Sequence, residues 1–65
     1  MKKVFMIFAK ENIENGIWES YSDRKFRTKE AAESYIKDVL EPYDKECGVY
    51  EPNYYCVEDM SEFYN

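Results

Sequence analysis

One segment near the N-terminus, residues 3–9 (KVFMIFA), most constrains what this chain can form, because nearly every position in it is apolar. A short, continuous, β-prone run of this kind predicts an interior strand with both faces at least partly covered. Alternate residues share a face of a strand. The two faces would carry Phe5, Ile7 and Ala9 on one side, and Val4, Met6 and Phe8 on the other.

The next polar stretch predicts a hairpin. Residues 10–16 (KENIENG) end in Asn15-Gly16, a pair that suits the positive φ angles of a tight turn. Residues 17–21 (IWESY) alternate in character and would form a second strand, antiparallel to the first. The polar residues 22–25 would end or bulge that strand.

A helix is expected to begin after Thr28, whose hydroxyl can accept hydrogen bonds from the first-turn amides. An apolar stripe of helical period follows over roughly 13 residues. Pro42 is expected to end the helix near Glu41, since the residue before a proline avoids the α-helical region. The stripe consists of Ala31, Ala32, Tyr35, Ile36, Val39, Leu40 and Tyr43.

The C-terminal third predicts a connection followed by one more strand. Residues 41–53 hold both prolines and four acids and are interpreted as a long connection without regular structure. Residues 54–57 (YYCV) predict a third strand, antiparallel to the first on its free edge. The tail would extend that strand or form a short turn with Phe63 or Tyr64 against the core.

These elements predict one small α+β domain over residues 1–65, with the order strand, strand, helix, strand. The sheet would have three antiparallel strands in the order 2-1-3, with the single helix on one face. The uncovered face, with Val4, Met6 and Phe8, would then need water, a partner, a second copy or residues 41–53 to cover it. The expected core is Phe5, Ile7, Ala32, Tyr35, Ile36, Val39, Leu40 and Val57.

Charge is distributed unevenly along the chain, whose net charge is −5. Residues 1–32 carry seven Lys or Arg and five acids, whereas residues 33–65 carry two Lys and nine acids. The acidic half disfavours direct binding to nucleic acid or to an anionic membrane and favours a basic protein surface. A minor RNA-binding role would depend on a local basic patch of Lys2, Lys3, Arg24, Lys25 and Arg27.

Enzyme chemistry and cofactors are not expected. The chain has no histidine, which excludes Cys–His and Ser–His–Asp sites and leaves no zinc-type ligand set. Gly16 and Gly48 are isolated and form no phosphate-binding loop. The apolar run before Lys10 is too short for a secretory or membrane segment, so a cytoplasmic location with reduced Cys47 and Cys56 is expected.

The segment Phe26-Arg-Thr-Lys-Glu-Ala-Ala-Glu-Ser-Tyr-Ile resembles the strand end, cap and helix start of small uncharacterised ββαβ domains of phages and bacteria. The resemblance covers about residues 2–60 and implies that fold. The size, acidity and aromatic content of the chain also resemble phage-encoded inhibitors of host defence, including anti-CRISPR proteins. Neither resemblance assigns a functional residue.

The aromatic and acidic residues lead to the functional hypothesis, because Tyr and Trp often anchor interfaces. The chain is expected to be a non-enzymatic inhibitor that occupies a basic, nucleic-acid-handling surface of a partner protein, in its sharpest form as a DNA mimic. The alternatives are a structural module that forms a homodimer through its uncovered sheet face, and the RNA-binding accessory. The candidate partner-binding residues are Trp18, Asp44, Glu46, Tyr50, Glu51, Tyr54, Glu58, Asp59 and Glu62.

Overall fold

The computed structural model describes residues 2–64. Strand β1 (Phe5–Ala9) runs directly into the short helix α1 (Lys10–Glu14). After an irregular segment, helix α2 (Lys29–Tyr35), a π-helical turn (Ile36–Leu40) and helix α3 (Glu41–Cys47) form one continuous helical stretch. Strand β2 (Tyr55–Asp59) and the single-turn helix α4 (Ser61–Tyr64) complete the described chain.

The expected three-stranded sheet is wrong: the sheet found within residues 2–64 has two strands, β1 and β2. The predicted third strand is present as β2, and its antiparallel pairing with β1 is confirmed, with Ile7 opposite Val57. It begins one residue later than expected and extends to Asp59. The α+β character of the chain is retained.

The predicted second strand is replaced by an irregular segment that follows the other edge of β1. Only two isolated bridges join it to β1, between Phe8 and Ser20 and between Phe5 and Phe26. These bridges are three residues apart on β1, from 5 to 8, but six apart on the segment, from 20 to 26. The extra residues loop out around the polar positions 22–25, which prevents a regular ladder.

The predicted hairpin at Asn15-Gly16 is also wrong, because residues 10–14 form α1. The positive φ of Gly16 (75°) is used to leave this helix. The amide of Gly16 donates to the carbonyl of Ile13, at 3.0 Å. Ile13 packs against the buried residues of β1, and this tertiary contact favours a helical turn over a second strand here.

The helix start is confirmed and the helix end is wrong. The Thr28 hydroxyl accepts a hydrogen bond from the Ala31 amide at 3.1 Å. The helical stretch passes through Pro42 and ends at Cys47, followed by Gly48 with φ 76°. Pro42 lies in the first turn of α3, where a proline is tolerated. The amide before it, from Glu41, donates to the Ile36 carbonyl five residues back, as a π-helical turn requires.

This wider turn changes which residues face the sheet. An α-helix advances about 100° per residue, so Tyr43 would nearly align with Ile36 in a regular helix. A π-helical turn takes about one extra residue, so Asp44 points inward in place of Tyr43. Asp44 is 8% exposed, whereas Val39, expected in the core, is 45% exposed. The expectation for Val39 is therefore wrong.

Two apolar clusters lie on opposite sides of β1, and both are covered by the chain itself. The helix-side cluster, on the face expected to meet the helix, has Ile7, Ala32 and Ile36 buried and Phe26, Tyr35, Leu40, Tyr55 and Val57 packed around them. The tail-side cluster has Val4, Met6, Phe8 and Met60 buried, with Ile13 and Cys56 against them. The expectation of an uncovered sheet face is therefore wrong. Its cover is α1 and the tail, with no contribution from residues 41–53 in this cluster.

A short hydrogen-bonded network holds the tail in place. The Met60 amide donates to the Val4 carbonyl at 2.8 Å, and the Val4 amide donates to the Ser61 hydroxyl at 3.0 Å. Ser61 donates to the Asp59 carboxylate from its amide, at 2.9 Å, and from its hydroxyl, at 2.5 Å. Met60 thereby enters the core, while Phe63 and Tyr64, the residues considered from the sequence, stay exposed.

Candidate functional site: an acidic cleft walled by tyrosines

A cleft of about 320 Å³ opens between the irregular segment, α3 and the start of β2. The three elements meet because the Tyr21 amide donates to the Ile7 carbonyl at 2.7 Å and the Val49 amide donates to the Asp44 carbonyl at 2.9 Å. The first bond holds the irregular segment against β1, and the second turns the chain after α3 back toward β2. The lining residues are Tyr21, Asp44, Val49, Glu51, Tyr54 and Tyr55.

Asp44 is the buried charged side chain of the described chain, residues 2–64. The Tyr55 hydroxyl donates to its Oδ2 atom at 2.5 Å. Burial, and then the hydrogen bonds with Asp44 and Tyr21, raise the pKa of Tyr55 far above the ordinary tyrosine value. Tyr55 therefore stays protonated as a hydrogen-bond donor, which is what a buried carboxylate needs.

The tyrosine rings of the cleft pack edge to face. The centroids of Tyr21 and Tyr55 are 4.9 Å apart with the rings at 87°, and those of Tyr54 and Tyr55 are 4.9 Å apart with the rings at 89°. This arrangement is favourable for aromatic quadrupoles and gives the cleft defined walls. Its lining residues include two acids and no Lys or Arg, so the cleft is suited to positively charged groups.

The nine predicted site residues do not form one surface. Asp44, Glu51 and Tyr54 line the cleft, with Glu46 on α3 and Tyr50 in the loop after it. Asp44 is turned inward and bonded, so it is not an acid of the outer surface as expected. At the far end of β2, about 13 Å along the strand, Glu58 and Asp59 lie near Glu62 of α4. Trp18 lies on the tail side of the sheet, where its ring packs edge to face with that of Phe8, with the ring centroids 5.8 Å apart.

Tyr21 and Tyr55 line the cleft but are not among the nine candidate residues. The aromatic content of the chain indicates an interface role for some of its tyrosines, but it does not indicate which ones. The proximity of Tyr21 and Tyr55 to Asp44 depends on the phase of α3 and on the bulge before Phe26. No local pattern in the sequence indicates either feature.

Three basic residues of the N-terminal half, Lys3, Arg24 and Lys25, lie toward the opposite end of the sheet, where they contact aromatic rings and one acid. The Arg24 guanidinium lies 4.9 Å from the Tyr35 ring centroid, and Lys25 Nζ lies 4.8 Å from that of Tyr64. Lys3 Nζ is 4.0 Å from an Asp59 oxygen. Hydrogen bonding to the Ser61 hydroxyl and amide, and then the charge of Lys3, lowers the pKa of Asp59. These contacts engage several of the cations on which the RNA hypothesis depends.

A second, larger cleft of about 450 Å³ runs along the other side of the helical stretch. Its lining carries mixed charges and one aromatic residue, Tyr55; the charged residues are Glu30, Glu33, Lys37 and Glu41.

Within residues 2–64, no group of three His, Cys, Asp or Glu side chains is placed to hold a metal ion. Cys47 and Cys56 are both free thiols, and burial raises the pKa of Cys56. The tyrosine-walled cleft is the candidate site, because it combines a buried, hydrogen-bonded carboxylate with packed aromatic rings.

Comparison with known proteins finds no relative of this chain. No protein-family model matches it, and no curated protein or solved structure gives a significant match. Across residues 2–64, no helix combines the length and the apolarity needed to cross a membrane.

Proposed function

We propose that this chain is a non-enzymatic binding module that docks its acidic, tyrosine-rich side on a basic surface of a partner protein. The observation that carries the proposal is the juxtaposition of acids and exposed apolar groups around α3 and the loop after it. Glu46 and Glu51 lie there beside three exposed large apolar side chains, Tyr43, Val49 and Tyr54, of which Tyr43 is 64% and Val49 65% exposed. We refer to these five residues as the acidic face.

Exposed aromatic residues among carboxylates suit an interface in which electrostatics guides association and apolar contacts slow dissociation. A partner that handles nucleic acid has the complementary basic surface, and the chain would then compete with the nucleic acid. The sharpest form of the proposal is a mimic of nucleic-acid charge, acting in the cytoplasm as an inhibitor of host defence encoded by a phage. The acidity of residues 33–65 supports this form over direct RNA binding.

The test is affinity capture from the host of origin with three immobilised proteins: wild type, a Glu46→Lys/Glu51→Lys variant and a Glu14→Lys control. Glu14 is exposed at the end of α1, on the tail side of the sheet. The expected partner binds wild type and the control but not the double variant. Its affinity falls about tenfold or more between about 50 mM and 300 mM salt, and nucleic acid competes for it.

Binding that survives both the double charge reversal and high salt would contradict the proposal. If the partner binds in a salt-sensitive way but nucleic acid does not compete with the chain, the result supports the acidic-face interface and contradicts the nucleic-acid-mimic form.

A further inference from the structure

The tyrosine-walled cleft has a chemical selectivity of its own, beyond the proposed docking of the acidic face. An anion would meet both Asp44 and Glu51, and the described lining holds no cation to balance it. A volume of about 320 Å³ is at the small end of the range for small-molecule sites. The cleft therefore fits a small cation that also has apolar surface.

Asp44 provides a fixed negative charge at this site. Its backbone carbonyl is held by the Val49 amide, and its Oδ2 atom by the Tyr55 hydroxyl. Within residues 2–64, the hydrogen bonds of the structure pair this carboxylate through Oδ2, so Oδ1 is available to a ligand in the cleft. A carboxylate already placed in this way need not reorganise when a cation binds.

The rings supply the second part of the recognition. Tyrosine rings beside a carboxylate attract ammonium groups, because the face of an aromatic ring carries partial negative charge. The protein uses the same chemistry internally next to the cleft, where Lys45 Nζ lies 4.8 Å from the Tyr50 ring centroid. It uses it again at the opposite end of the sheet, between Lys25 and Tyr64.

From this geometry we infer that the cleft of Tyr21, Tyr54, Tyr55 and Asp44 binds an alkylammonium group. The ammonium faces the rings and Asp44, and the alkyl part lies against Val49. Two sources share this chemistry: a free quaternary or primary amine, and a lysine side chain presented by another protein. The inference stands independently of the proposed function, because a free amine would occupy the cleft without any protein partner.

The test is a titration of the full chain, followed by NMR of the tyrosine ring protons. The probes are choline, its uncharged tert-butyl analogue in which carbon replaces nitrogen, and a short peptide with a single lysine. Choline or the peptide is expected to shift the Tyr21, Tyr54 and Tyr55 signals saturably, and the uncharged analogue is not. The probe that binds identifies the source of the ammonium group.

Matched variants locate the charge that is responsible. Asp44→Asn keeps an acceptor for the Tyr55 hydroxyl but removes the negative charge, and should weaken binding about tenfold or more. Glu46→Gln makes the same change on the exposed surface of α3 and should leave the affinity within about twofold. Tyr54→Leu, at the rim of the cleft, keeps apolar area but removes a ring, and it tests the site even if Asp44→Asn does not fold.

Three results would overturn the inference: equal binding of the uncharged analogue, equal losses for Asp44→Asn and Glu46→Gln, or no saturable shift with either cationic probe. A loss confined to the ring or Asp44 variants supports it. Failure of partner capture with intact choline binding would reject the proposed function alone. Partner capture without ammonium binding would reject this site alone.

Discussion

The two sides of β1 are covered in different ways. On the helix side, one continuous helical stretch supplies most of the cover, and its residues Ala32 and Ile36 are buried against Ile7 of β1. On the tail side, three separate short segments provide the cover, through Ile13 of α1, Met60 of the tail and the Trp18 ring. An amphipathic helix is visible in a sequence as a period, whereas isolated covering residues are not. The cover that the sequence did not predict lies on the tail side.

Met6→Lys should have the largest effect, because Met6 is 2% exposed in the tail-side cluster. An unpaired ammonium there costs more than about 4 kcal/mol, which is enough to unfold a domain of this size. Ile17→Lys, at an exposed position, is the matched control and should leave the melting temperature nearly unchanged. Thermal unfolding followed by circular dichroism measures both. A folded Met6→Lys monomer of normal stability would mean that this side is open in solution.

The same protein preparations test whether the chain forms the homodimer that was one hypothesis from its sequence. The expected homodimer used the Val4, Met6 and Phe8 face, and these three side chains are buried by the chain itself. Light scattering of wild type should therefore show a monomer at micromolar concentration. A dimer would require another surface, such as the exposed apolar groups of the acidic face.

On the helix side, Ile36→Ala and Val39→Ala should lower the free energy of unfolding by clearly different amounts. Ile36 is buried, and its truncation should lower the free energy of unfolding by about 2–5 kcal/mol. Val39 is largely exposed despite its place in the sequence period, so its truncation should cost under about 1 kcal/mol. Urea denaturation of the pair measures the difference. Equal losses would show that the π-helical turn does not set the phase of the helix in solution.

Tyr55→Phe tests the polar link on the helix side. The variant leaves the buried Asp44 carboxylate without its donor and should cost about 1–3 kcal/mol. The raised pKa of Tyr55 means that the folded state favours the neutral phenol. The stability that the neutral Tyr55 phenol contributes is fully present below the pKa of tyrosine in the unfolded chain, about 10. This stability is lost as the pH rises from there toward the pKa of Tyr55 in the folded protein. Wild type should thus lose more stability above about pH 10 than the variant, as stability measurements against pH would show. Parallel losses would contradict the Tyr55–Asp44 link.

Ser61→Ala should have the smallest effect and acts on the tail side. It removes the hydroxyl that joins the Val4 amide to Asp59, at a cost of about 1 kcal/mol. The lowered pKa of Asp59 gives stability that is present above its unfolded pKa of about 4 and lost as the pH falls through the folded value. The variant should therefore show a weaker acid dependence of melting below about pH 4. The same acid dependence in both proteins would mean that Ser61 does not hold the Asp59 carboxylate.

Prediction from the sequence succeeded where the signal was local and failed where distant segments decided. The Thr28 cap and the antiparallel pairing of β2 with β1 follow from short patterns, and the structure confirms them. The central position expected for β1 is not confirmed, because the sheet has two strands. The second strand and the hairpin failed because α1 gains a contact to a core residue that no pattern within residues 10–21 can indicate. In the candidate site, Asp44, Glu51 and Tyr54 were expected and do come together, while Tyr21 and Tyr55 were not among the nine candidate residues.

Residue chemistry alone determined that this chain has one strongly apolar strand, one capped helix, an acidic C-terminal half and no histidine. Tertiary structure decided which surfaces those residues occupy. The π-helical turn exchanges Tyr43 for Asp44 on the inner side of the helix, and the tail inserts Met60 where an open face was expected. The physical reason is that a period or a cap is set by neighbours along the chain. Two other features are set by the free energy of burial: which side of the helix after Pro42 faces the sheet, and which residues cover β1. This free energy depends on contacts between segments that are distant along the chain.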